Sequence, residues 1–244
     1  DTASDQFLCE KYSIGISFVS ENEIKTRTQH QGENQSSKSA LLLYGDWQGH
    51  PGKELRNAAE AISHLEKMLV KSACETDIVH EKVDQFLNAL AAESDKKSNI
   101  RIIHYLGHAE EDYLDVGEND FLQPGVIIET LGMSFSSRPL VFLNACSSGK
   151  LPSEWKINDH LCTEFLAAGA GACIVTNFDV YDKTAAAFQK YFYVRFVEQE
   201  LTAGEALKQT ICAMGDKNFQ QNYKPDFDIS RYAYSLFGDP ALKF

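Results

Sequence analysis

Two short apolar runs, each ending on a reactive side chain, constrain this chain more than any other feature. The first is Ile100-Arg101-Ile102-Ile103-His104-Tyr105-Leu106, which stops at Gly107-His108. The second is Leu140-Val141-Phe142-Leu143, which follows Pro139 and stops at Asn144-Ala145-Cys146, with Ser147, Ser148 and Gly149 behind it. Continuous apolar runs of this length suit strands buried on both faces of a parallel sheet. In open α/β sheets the reacting groups gather at the carboxyl ends of the strands. Parallel neighbours need a crossover of a dozen or more residues, and the interval from His108 to Cys146 accommodates one. The two side chains would then share a sheet edge, where an imidazole can take a thiol proton and later give it to a leaving amine.

Competing readings of these residue types are weaker. Cys162 falls in a helical pattern and Cys173 inside an apolar run, so both read as structural thiols; only Cys146 stands at a strand exit among small residues. His104 and His108 would form a metal-binding pair on a helix. Their surroundings read as strand and no third ligand is evident, so neither a metal nor another cofactor is expected, and His104 reads as a structural histidine that orients its neighbour. His30, His50, His64, His80 and His160 read as surface groups. Glycine-rich phosphate signatures are absent, and Gly169-Ala170-Gly171 precedes a strand, where packing explains it.

The remaining pattern is alternating α/β. Tyr12, Ile14, Ile16 and Phe18 alternate, which predicts an edge strand over 7–19. Residues 21–38 read as a loop, 40–44 as a core strand, and Gly45 to Gly52 as a turn-rich strand exit on the edge of the proposed site. Helical spacing runs from Leu55 to Leu69 and again from Val79 to Leu90. The acidic stretch from Glu110 to Asp120 reads as a hairpin or loop near the site, and 127–133 as a short helix. Asp159 would cap a helix through Ala168, followed by a strand at 172–176 and helices at 183–200 and 204–214, capped by Asp182 and Thr202. The loops 149–158 and 215–230 are candidates for ordering on activation, and a final strand spans 232–237. Strands alternating with helices predict a mostly parallel sheet with helices on both faces, in one domain over residues 1–244.

These motifs resemble the CHAT domain of the caspase-like (clan CD) cysteine peptidases. The family carries an apolar strand ending in a histidine and a later one ending in Ala-Cys, as at His108 and Ala145-Cys146. Ala168-Gly169-Ala170-Gly171, the acidic turn Asp179-Val180-Tyr181-Asp182, and Phe237-Gly238-Asp239-Pro240 are also similar. Ala109 stands where the family has glycine, and Phe178 where it has tryptophan. The resemblance implies a caspase-like three-layer sandwich and a cysteine endopeptidase with Cys146 as nucleophile and His108 as base. It further implies an oxyanion hole from the backbone N–H groups of Ala109 and Cys146, and a substrate pocket lined by Asn144 and the turn carrying Asp179 and Asp182. An acidic pocket, with Glu110 close by, predicts cleavage of a protein or peptide substrate after a basic residue, with Asp179 favoured over Asp182. Family members are often fused to sensor or repeat modules, so control by such a partner is expected. A catalytically idle binding module, or an acyltransferase or redox switch built on the same thiol, are the alternatives.

Composition sets outer bounds. A chain of 244 residues with 43% hydrophobic and 24% charged residues can form one sizeable α/β core. The net charge of −12 and pI near 5.0 argue against direct contact with a nucleic-acid backbone. No apolar run approaches the about 20 residues of a membrane span, so no membrane contact is expected. The first residue is Asp, consistent with a domain excised from a longer chain, and the six cysteines show no paired short spacing, which suits a reducing, cytoplasmic setting.

Overall fold

The computed structural model describes residues 8–16, 37–95, 99–110, 113–118, 120–131, 135–146, 148–149, 161–215 and 229–244. In chain order the elements are α1 (Leu8–Lys11), β1 (Lys38–Tyr44), α2 (Ala58–Lys71), β2 (Cys74–His80), α3 (Val83–Asp95) and β3 (Asn99–Leu106). A small antiparallel sheet follows, made of β4 (His108–Ala109), β5 (Leu114–Gly117) and β6 (Asp120–Leu122), and then α4 (Val126–Leu131) and β7 (Leu140–Asn144). The chain closes with α5 (Leu161–Ala167), β8 (Ala172–Thr176), α6 (Asp182–Tyr193), α7 (Ala203–Met214) and β9 (Tyr234–Gly238).

Among the described residues the main sheet has the order β2-β1-β3-β7-β8-β9, parallel except for β9, which runs antiparallel to β8. Both apolar runs are therefore central strands, and they lie next to each other. Successive side chains alternate between faces, which splits the core in two. Leu42, Ile102, Phe142 and Ile174 pack beneath α2, α6 and α7, whereas Leu41, Ile103, Tyr105, Val141 and Val175 pack against α3, α4 and α5. This is the expected three-layer sandwich.

Several local expectations change. Where a strand was expected over 7–19, the described residues 8–16 form the short helix α1 followed by an extended stretch, with one bridge from Ile16 to Phe237. The helical spacing from Val79 to Leu90 conceals β2, which ends at His80, and a turn at Glu81 with φ of 51° before α3 begins. As an edge strand exposed on one side, β2 carries the mixed sequence Cys-Glu-Thr-Asp-Ile-Val-His, which gives no clean alternation. The helix expected over 183–200 is α-helical only to Tyr193 and ends in a π-helical turn, Val194–Glu198. Thr202 caps α7 as expected, its side chain accepting from the Glu205 N–H, whereas Asp182 is the first residue of α6 and Tyr181 stands at the cap position. The expected loops 21–38, 149–158 and 215–230 and the cap at Asp159 lie wholly or largely outside the described residues.

A buried polar chain runs between the sheet and α6. The Tyr193 hydroxyl donates to His104 Nδ1 (3.0 Å), and His104 Nε2–H donates to Gln189 Oε1 (2.9 Å). Gln189 Nε2 in turn donates to the Ala61 carbonyl on α2 (3.1 Å). His104 is fully buried, and that burial holds its pKa down to about 3, only partly offset by the Gln189 hydrogen bond. An unfolded histidine takes a proton below about pH 6.5, so the folded state is at its full relative stability above that pH and loses it as the pH falls toward 3. The unfolding free energy from urea titrations should therefore decline across this window by on the order of a few kcal/mol. A folded His104→Asn variant should decline less, and an unchanged acid dependence would refute the assignment.

Candidate active site

Parallel pairing of β3 with β7 sets Leu106 opposite Asn144, and the Gly107 N–H donates to the Asn144 carbonyl (3.4 Å). Two residues beyond that register point stand His108 and Cys146, on strand ends that hydrogen-bonded neighbours hold about 4.8 Å apart. The structure thus brings the two predicted groups to the carboxyl ends of adjacent strands.

Three groups fix His108. The Tyr105 hydroxyl lies 2.7 Å from the His108 carbonyl and 2.8 Å from that of Asp115, tying the strand end to the small sheet. Gly107 has to be glycine, since a Cβ there would collide with that same hydroxyl. The imidazole itself is held through Nε2, 2.6 Å from the Lys53 carbonyl. A carbonyl only accepts, so Nε2 carries the hydrogen and Nδ1 of the neutral ring is the basic nitrogen. Lys53 is held in turn by Asp115 Oδ2, 3.0 Å from Nζ, and by the Trp47 ring, 4.6 Å beneath Nζ. Trp47 also faces His108, with ring centroids 6.1 Å apart.

Cys146 is half-buried where β7 turns away. Behind it, Ser148 Oγ donates to the Leu143 carbonyl (2.8 Å), the Gly149 N–H donates to the Thr176 carbonyl (2.7 Å), and a Cβ on Gly149 would run into Val175. The small residues after the cysteine are thus required by the close approach of β8. The sulfur lies 3.4 Å from both the N–H and the carbonyl of Val180. Burial raises the thiol pKa, the Val180 backbone contact partly offsets this, and the neighbouring Asp179 raises it further. On balance the surroundings favour the thiol over the thiolate.

The strand pairings bear on the two expected oxyanion donors. Glu110 N donates to the Tyr113 carbonyl, so by the alternation of antiparallel ladders the next pair, Ala109 with Leu114, is of the non-hydrogen-bonded kind. The Ala109 N–H therefore points away from β5. The Cys146 N–H donates to no backbone carbonyl among the described residues and contacts its own sulfur.

The expected pocket residues separate. Asn144 is 2% exposed, and its side chain is taken up inside the protein by the Ala185 carbonyl (3.2 Å), Gln189 (3.5 Å) and the Tyr234 hydroxyl (2.9 Å). It faces the α6 side of the sheet like Phe142, two residues earlier, so its expected place in a substrate pocket is corrected to a positioning role. Asp182 is likewise committed, accepting from the Asn57 N–H (3.1 Å) and Nδ2 (2.6 Å). Asp179 alone of the three is exposed beside Cys146. Sequence reasoning marked the Gly45–Gly52 exit but missed Lys53, Tyr105 and Val180. Lys53 and Val180 act through backbone atoms, which leave no side-chain signal, and Tyr105 reads as one more apolar strand residue.

A parallel sheet between helical layers, with a histidine and a cysteine on adjacent strand ends, defines a caspase-like α/β sandwich. The chain belongs to the CHAT domain family, whose model matches residues 1–227. Solved structures share the fold. The chain is similar to the Arg-specific cysteine proteinase gingipain R, at 16% identity and a TM-score of 0.64, over 92% of this chain and 53% of that one. It is also similar to separase in the Saccharomyces cerevisiae separase–securin complex, at 17% identity and 0.54, over 89% of this chain and 13% of that one. Caspase-1 from Spodoptera frugiperda follows at 13% and 0.54, over 85% of this chain and 92% of that one. The chain thus spans about half the length of gingipain R. A comparison with curated protein sequences gives no match. The caspase-like cysteine-peptidase fold supports a protease-type function.

A protonated resting thiol makes a direct prediction. Alkylation of Cys146 by iodoacetamide should accelerate about tenfold per pH unit from pH 7 to 9, because the thiolate alone reacts. A rate already at its plateau at pH 7 would mean a preformed ion pair and would contradict this account.

Proposed function

We propose that the chain is a cysteine endopeptidase in which Cys146 is the nucleophile and His108 the general acid and base. The observation that supports this reading is the register of β3 and β7, which ends at Leu106 and Asn144, two residues short of His108 and of Cys146, together with a His108 ring whose Nε2 is bonded to the Lys53 carbonyl. As a peptide enters, Nδ1 takes the thiol proton while Sγ bonds to the scissile carbonyl carbon. The oxygen charge that develops is met by the N–H groups of Ala109 and Cys146. Collapse of the intermediate breaks the C–N bond, His108 returns the proton to the leaving amine, and water hydrolyses the thioester with His108 again acting as base.

Asp179 is the group best placed to read the residue before the scissile bond, and its charge favours Lys or Arg there. The Arg specificity of gingipain R, similar in fold, points the same way. We further infer control by a partner, in keeping with a thiol that rests protonated; separase, another fold relative, is seen in complex with securin. A sensor or repeat module is the kind of partner expected, in a cytoplasmic setting.

Mapping of newly formed protein termini, together with fluorogenic peptides varied at one position, tests this. Cys146→Ala and His108→Ala should each remove cleavage by about 10²-fold or more while leaving the folded spectrum intact, and Cys162→Ala should not. Asp179→Ala should reduce the preference for Arg over Leu about tenfold, a contact of ~1.4 kcal/mol. Wild-type cleavage by a folded Cys146→Ala protein would overturn the mechanism, and a preference for Asp would overturn the specificity.

A further inference from the structure

Two strands away from His108, at the same sheet edge, three ligand-type atoms converge. Asp46 lies just beyond β1, His80 is the last residue of β2, and Glu81 follows it; Asp46 Oδ1, His80 Nε2 and Glu81 Oε1 all lie within 4.8 Å of one another. We propose that Asp46, His80 and Glu81 form a binding site for a divalent transition-metal ion of the zinc type.

The distances distinguish this from a simple ion pair. His80 Nε2 is 3.3 Å from Asp46 Oδ1 and 3.6 Å from Glu81 Oε1. Both exceed the about 2.7–2.9 Å of a charge-assisted N–H to carboxylate bond, and one Nε2–H cannot point at two oxygens. Ligand atoms held about 2.0–2.1 Å from a tetrahedral Zn²⁺ stand about 3.3–3.4 Å apart, close to both observed spacings. Two carboxylates and a neutral imidazole balance a double positive charge. The nitrogen donor disfavours Ca²⁺ and Mg²⁺, which take oxygen ligands, and the lack of a thiolate disfavours Cu(I).

The ligands are also braced from behind, as metal ligands usually are. The Gln48 N–H and Nε2 donate to Asp46 Oδ1 (3.3 Å) and Oδ2 (3.0 Å), and the Trp47 N–H donates to Glu81 Oε1 (3.1 Å). The His80 ring stacks on Tyr44 with centroids 4.4 Å apart, which sets the plane of the imidazole. Its side chain is 45% exposed, so an ion can enter and solvent can fill a fourth position. Trp47 follows one ligand directly and donates to another, and its ring faces His108, so a bound ion would stiffen the segment that holds that histidine.

Equilibrium dialysis with Zn²⁺ and optical titration with Co²⁺ test the proposal without reading peptidase activity. Wild type and Cys146→Ala should each bind one ion per chain at this site, with the d–d bands of a tetrahedral cobalt centre and no thiolate-to-cobalt charge-transfer band. His80→Ala, and the volume-conserving Glu81→Gln should the first misfold, should each weaken binding by about 10–100-fold or more. No saturable binding in wild type, unchanged affinity in a folded His80→Ala or Glu81→Gln protein, or a thiolate charge-transfer band would each overturn it.

Discussion

The register between β3 and β7 is the constraint on which the site depends. Because side chains alternate with period two, a slip of one residue would move Tyr105 to the face now held by His104 and carry His108 out of line with Cys146. Apolar packing alone is a weak guard against such a slip in strands buried on both faces. The polar side chains inside the sandwich supply the missing specificity. His104 on β3 and Asn144 on β7 both reach Gln189 on α6, and Tyr234 on β9 donates to Asn144. A slipped strand would leave these buried groups unpaired, which costs about 1–3 kcal/mol for each.

The same architecture sets the electrostatic state of the site. His108 is positioned by neutral contacts, the Lys53 carbonyl and the Tyr105 hydroxyl, and a nearby ion pair, Lys53 with Asp115, acts on the segment carrying that carbonyl. Burial, and with it the charge of Asp179, favours the thiol over the thiolate at Cys146, against the opposing contact of the Val180 backbone. On the proposed chemistry the thiolate is then generated during attack, when the emerging oxygen charge meets the N–H donors.

Much of this was legible in the sequence, and the rest fails for identifiable reasons. The two strand ends and the layers follow from uninterrupted apolar runs, which few other structures can bury. β2 was hidden because an edge strand needs only half its residues apolar, and Val79 happened to fall at helical spacing from Val83. Cys74–His80 in turn supplies His80, so missing the strand also concealed the convergence with Asp46 and Glu81. Asn144 was misassigned because adjacency to a nucleophile in sequence says nothing about face: at the end of a fully buried strand, a polar side chain is turned inward and satisfied there.

The turn between β8 and α6 gathers the consequences. Its far end is fixed, since Asp182 is bonded to Asn57 at the start of α2. Its near end is fixed too, with Thr176 donating through its hydroxyl to the Ala145 carbonyl and through its N–H to Ser148. Between these anchors, Val180 touches the sulfur through both backbone polar atoms and Asp179 stands exposed next to it. A displacement of these few residues would uncover the sulfur, remove the contact that holds it and move the carboxylate proposed to read the substrate. On the proposed mechanism, nucleophile exposure and side-chain selection are therefore coupled through one short segment, and a partner that shifted it would act on both together.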